Sequence, residues 1–142
     1  MKYLFLRAWI RLLVVDLGLR LLPFGKLRAL LRLEAGQVVS QKGPAGGQIL
    51  EVERKHAWKT WQIMDKAARH HLYEMTCLRR SLVLQWLLLE EGFNAELKIG
   101  VRKEEGALIA HAWVELGGEA VGDQPGIEQE YAPLVRLGAG NE

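Results

Sequence analysis

Between Tyr3 and Leu22 large apolar residues fall on nearly every side of a helical repeat, interrupted by the charges of Arg7, Arg11, Asp16 and Arg20. At about 100° per residue Arg7 and Arg11 share one face. Asp16 and Arg20 fall on roughly the opposite face and, four apart, can pair. Such a helix is expected to dock on the rest of the chain. Pro23 ends it, and after Gly25 the run KLRALLRL (26–33) predicts a short second helix. The polar stretch EAGQVVSQKGPAGGQ (34–48) holds five Gly or Pro and reads as a loop. From Glu51 to His71 the helical period returns, with Trp58, Trp61, Met64 and Ala68 predicting one apolar face. An irregular stretch through His70, His71 and Tyr73 follows.

Thr76 then precedes a run free of Gly and Pro until Gly92. Leu78, Leu82, Leu84, Trp86, Leu88 and Leu89 make that run apolar on most sides, which predicts a buried central helix. Thr76 is placed as its N-cap and Gly92 as its left-handed C-terminal cap. Beyond Gly92 the period falls from 3.6 to 2. Ala95, Leu97, Ile99 and Val101 alternate with polar residues, and Lys103–Gly106 predicts a hairpin turn. In ALIAHAWVEL one face carries Ala110, Ala112, Val114 and Leu116, the other His111, Trp113 and Glu115. Gly117-Gly118 predicts a second turn, and Glu119–Gly122 a short third strand ending at Asp123. Helices followed by an antiparallel meander predict an α+β fold, divided as an N-terminal helical arm (1–34) and a main domain (35–142).

Composition narrows the classes. Of 142 residues 49% are hydrophobic and 25% charged, as in a folded globular chain. One cysteine cannot form an internal disulfide, which excludes a small disulfide-stapled secreted scaffold and makes the cytoplasm the default compartment. A net charge of +2 does not by itself argue for nucleic acid, and none is expected as a partner. The charge is uneven, however: residues 1–33 carry seven Lys or Arg against Asp16 alone. A membrane span there would hold four charges costing roughly 2.5–3.5 kcal/mol each at mid-bilayer. A signal peptide would need an uninterrupted apolar core. Neither is expected. Two readings remain for the arm: a helical pair packed on the body, or an element for peripheral membrane contact or partner binding.

Three residues can carry chemistry. Cys77 falls in the first turn of the central helix, facing unpaired N–H groups and the positive end of the helix dipole, a setting that suits a nucleophilic sulfur. Those amides are candidate donors to an oxyanion, and Arg79 and Arg80 add positive charge if they turn towards the sulfur. His111 leaves the aliphatic face of its strand, and Asp123 closes the neighbouring one. Each has an ordinary alternative: a small buried cysteine, a structural histidine, an aspartate capping a turn. His56, His70 and His71 read as surface or loop residues. A strict two-residue Gly117-Gly118 turn sets Asp123 opposite Ala112, one residue away from His111's face. A bulge or a three-residue turn would correct that. Together the three follow the nucleophile, base and orienter order of cysteine acyl transfer. Zinc on the same residues lacks a CxxC or HxxxH pair. GPAGG lacks the Lys-Ser/Thr of a nucleotide loop.

CLRRSLVLQWLLLEEGFNAELKIGVRK followed by HAWVELGGEAVGD closely resembles the transglutaminase-like cysteine peptidases of lasso-peptide biosynthesis, the microcin-maturation type. The likeness extends loosely through YAPLVRL, and LLPFGKLRALL resembles that family's N-terminal helices. It implies a papain/transglutaminase-like core and a peptidase that removes the leader from a ribosomally made precursor peptide. Cys77 matches the nucleophile, His111 the base and acid, and Asp123 the orienting carboxylate. No cofactor is implied. A separate leader-recognition protein and a lasso cyclase are implied as partners. An acyltransferase using the same three residues, or a non-catalytic binding module, remain as alternatives.

Overall fold

The computed structural model describes residues 2–31, 51–72, 74–123 and 126–133. The loop expected over 34–48, the end of the second helix at 32–33, Tyr73, Gln124 and Pro125, and the segment after 133 lie outside these. In chain order the elements are α1 (Lys2–Leu21), α2 (Phe24–Leu30), α3 (Glu51–Arg69), α4 (Cys77–Glu90), β1 (Ala95–Glu104), β2 (Ala107–Leu116), β3 (Glu119–Val121), α5 (Ile127–Glu130) and β4 (Ala132–Pro133). The strands form one antiparallel sheet in the order β3-β2-β1-β4. The fold is α+β.

α4 is the hub, touching α1, α3, β1 and β2. Leu82, Val83, Leu84, Leu87, Leu88 and Leu89 are all buried, and each contributes about 1.5–3 kcal/mol by leaving water. The helix stops in a Schellman arrangement. Gly92, at φ 89°, donates to Leu89 O at 3.1 Å, and Phe93 N to Leu88 O at 3.0 Å. Thr76 stands at the N-cap but makes no capping bond; its hydroxyl instead accepts from Arg79 Nη1 at 3.0 Å. Cys77, Ser81 and Gln85 recur every four positions and so share one face. Ser81 Oγ donates to the Ala112 carbonyl at 3.0 Å and Gln85 Nε2 to the Ala95 carbonyl at 3.1 Å. Those bonds fasten α4 to the backbones of β2 and β1.

The apolar face of α3 does not include Trp58, which is 44% exposed; it runs through Ala57, Thr60, Met64, Ala67 and Ala68. α1 and α3 pack on each other, and Ala8, Ala57 and Ala67 are fully buried. The Trp58 indole lies outside this face against Trp61, ring centroids 5.0 Å apart. The first hairpin is also tighter than Lys103–Gly106. Lys103 and Glu104 pair with Leu108 and Ala107, so only Glu105 (φ 49°) and Gly106 (φ 82°) turn, as a two-residue type I′ loop. Asp16 and Arg20 do pair, at 3.2 Å, but Asp16 is buried. α5 and β4 have no counterpart in the helix-then-meander reading. They bring Ile127 and Tyr131 over Trp113 on the outer face of β2, forming a second small apolar cluster.

Candidate active site

The N-terminal turn of α4 is held from two sides. Arg79 Nε donates to Asp16 on α1 at 2.6 Å, and Arg80 Nη1 to Asp65 on α3 at 2.6 Å. Arg80 Nε also donates to the Met75 carbonyl at 3.1 Å. The hydrogen bonds of both arginines thus go elsewhere than to the sulfur. Their heads go to carboxylates that are themselves buried, because a buried carboxylate is strongly disfavoured unless a cation and hydrogen bonds meet it. What they fix is the position of the turn that begins at Cys77, whose side chain is exposed.

On the sheet, His111 sits on β2 directly opposite Gly100 of β1. A Cβ at Gly100 would lie 2.6 Å from Tyr131 Cβ and 3.0 Å from Trp113 Cη2. The missing side chain thus lets β4 and the aromatic layer close over that part of the sheet. His111 is set among these rings, 5.9 Å from the Trp113 centroid and 5.4 Å from that of Tyr131.

Asp123 reaches His111 by a route different from the one expected. The second hairpin pairs Val114 with Val121, Glu115 with Ala120 and Leu116 with Glu119, closing on Gly117 (φ 59°) and Gly118 (φ 81°). That is the strict two-residue turn, so neither a bulge nor a third turn residue shifts the register. Instead the ladder ends at Val121 and Gly122, at φ 75°, takes the chain out of the strand. With the alternation broken, Asp123 Oδ2 comes to 2.5 Å from His111 Nε2. The backbone turn that does this is pinned from outside. A Cβ on residue 122 would lie 2.2 Å from Trp61 Cδ1 and Nε1. The indole therefore occupies the space that any side chain there would need.

Cys77, His111 and Asp123 line one cleft of about 180 Å³, together with Trp61, Asp65 and Arg80. The His111 and Asp123 side chains are 26% and 22% exposed, so their bond is partly shielded from water. Chemically the cleft offers a thiol at a helix N-terminus, first-turn amides that Thr76 leaves uncapped, and an imidazole whose Nε2 is engaged by a carboxylate. Among the described residues no group of three or more His, Cys, Asp or Glu could hold a metal ion. His56, His70 and His71 lie elsewhere: His56 bonds Glu91 at 2.9 Å, His70 Nδ1 lies 2.8 Å from Lys66 O, and His71 stacks on Trp9.

Sequence reasoning missed four contributors to the cleft's surroundings. Ser81 was available as a lone small polar residue four positions after Cys77 in an apolar run. Trp61 was visible as an aromatic but not as the partner of Gly122, 61 positions away. Asp65 offered only its spacing of four to Arg69, and Tyr131 only its place at the head of YAPLVRL.

The transglutaminase-like superfamily model matches residues 13–136. The chain is also 28% identical over 67 residues to the microcin J25-processing protein McjB of Escherichia coli. That alignment takes in 47% of this chain and 31% of the relative, so the chain spans about a third of that protein's length. No solved structure matches. With a match that begins within α1, passes β4 and takes in every element of the cleft, the chain belongs to the transglutaminase-like superfamily.

Proposed function

We propose that this chain is a cysteine peptidase that removes the leader from a ribosomally made lasso-peptide precursor, with Cys77 as nucleophile, His111 as base and acid, and Asp123 as orienter. One observation carries the reading: the 2.5 Å contact of His111 Nε2 with Asp123, in a cleft that Cys77 also lines. Nε2–H donates to the carboxylate, which holds the imidazole in the tautomer whose Nδ1 lone pair can take the thiol proton. Sγ then attacks the carbonyl carbon of the leader–core bond, and the uncapped first-turn amides of α4 receive the oxyanion. His111 passes the proton to the departing core amine, leaving the leader as a thioester on Cys77. Water gives a proton to His111 and its oxygen to the thioester carbon, releasing the leader acid and restoring the thiol. The substrate class is supported by the similarity to a microcin-processing protein. In this reading the chemistry belongs to residues 35–142 and residues 1–34 form an arm on them. The enzyme works in the cytoplasm beside a separate leader-recognition protein and a cyclase.

The test is incubation of the chain, the precursor peptide and the recognition protein, followed by mass spectrometry. Free leader and free core are expected from the wild type, and neither from Cys77→Ala or His111→Ala. Leader release by either variant at the wild-type rate would sink the assignment. An isopeptide product in place of free leader would mark an acyltransferase.

A further inference from the structure

α1 is buried along one side, through Ala8, Leu12, Val15 and Asp16. Its opposite side is apolar and open. Tyr3, Leu6, Ile10, Val14, Leu17 and Leu21 recur at intervals of three and four and are 40–79% exposed. An uninterrupted stripe along a 20-residue helix goes well beyond the scattered apolar side chains of an ordinary surface, and such stripes mark contact sites. Its edges are basic: at about 100° per residue Lys2 and Arg20 flank one side and Arg7 and Arg11 the other. In residues 2–31 Asp16 is the sole acid, and it is buried between Arg79 and Arg20. On the second edge both arginines bond Glu90 of α4, and the Arg11 side chain, 14% exposed, turns in over Trp86, so Arg7 is the cation that edge presents.

The charge pattern selects the occupant. A second copy laid on the stripe would set basic edge against basic edge whether the helices ran parallel or antiparallel. No helix among the described residues is long and apolar enough to cross a membrane. An apolar ridge flanked by Lys2 and Arg20 on one side and by Arg7 on the other, with an amphipathic tyrosine at one end, matches a helix lying in the plane of a lipid surface. We propose that α1 docks the protein on an anionic membrane surface, its apolar stripe entering the headgroup–acyl boundary and its basic edges meeting the lipid phosphates.

Co-sedimentation of the full chain with vesicles tests this, using phosphatidylglycerol–phosphatidylcholine mixtures and phosphatidylcholine alone. The chain is expected to sediment with the anionic vesicles, to be partly released by salt, and to bind neutral vesicles about tenfold or more weakly. The double variant Ile10→Glu, Leu17→Glu lies on the exposed stripe, so its helix content and melting temperature should stay those of the wild type. Its affinity for anionic vesicles should fall by about tenfold or more. Failure of the wild type to sediment, or equal binding by the folded variant, would overturn the proposal. So would a wild-type dimer in analytical ultracentrifugation that the variant renders monomeric.

Discussion

A Cβ on residue 122 would meet the Trp61 indole at 2.2 Å, in a backbone conformation, φ 75°, that L-residues occupy only at a cost. Gly118 offers a control, since its φ of 81° is as unfavourable but nothing lies within 4 Å of its missing Cβ. Gly118→Ala is therefore expected to lose about 1–2 kcal/mol from conformation alone and to keep its leader-release rate. Gly122→Ala should lose more stability. Because the clash moves the residue before Asp123, its rate should also drop by about a hundredfold, the order expected when a reacting group is misplaced by an ångström. Denaturant melts and single-turnover cleavage measure the two effects. Equal rates for both variants would show that Trp61 does not position the aspartate. That Asp123 lies near His111 was legible from the short hairpin. How it gets there was not, because one left-handed glycine changes a side chain's face without changing the pattern of polar and apolar residues.

At the scale of the element, α4 shows what an apolar run conceals. Its leucines announce a buried helix, and Thr76 and Gly92 mark its ends, so its limits could be read directly. The polar stripe of Cys77, Ser81 and Gln85 gave no sign of its partners, since both are backbone carbonyls on later strands. Ser81→Ala leaves the Ala112 carbonyl without that donor and should cost about 1–3 kcal/mol. Ala112 follows His111, so the same change should lower the cleavage rate constant more than Gln85→Leu does at a matched loss of stability. Comparing rate against denaturation midpoint for the two variants decides this; a common line would mean the Ser81 bond serves stability alone. The face of α3 was misread for a physical reason too. Tryptophans are conspicuous in a periodic pattern, yet alanines are what allow two helices to approach closely.

Over the whole molecule, the sequence order of helices and then strands was enough for an α+β fold, whereas the contacts that arrange the helices around Cys77 were not. Arg79 finds Asp16 across 63 positions and Arg80 finds Asp65 across 15. Long-range ion pairs leave no periodic trace in either partner. They do leave an energetic one. Asp16 is 2% exposed and the Arg79 side chain 23%, so Asp16→Ala strands a largely buried guanidinium and is expected to destabilise the fold by about 3 kcal/mol or more. Chemical denaturation gives the number. A loss below about 0.5 kcal/mol, the usual level for a surface substitution, would mean that α1 is held by its leucines and not by this pair.

The Gly117-Gly118 turn and Gly122 also act as two switches in series. Over a fixed sequence, the number of turn residues, even or odd, decides which face each residue of β3 presents, and the handedness of residue 122 inverts that choice for whatever follows. An even turn followed by a left-handed residue and an odd turn followed by an ordinary one would deliver the carboxylate to the same side of β2. Only the first also keeps Val121 opposite Val114 and in the core. This chain holds the solution that requires glycine because that one satisfies the carboxylate and the core together.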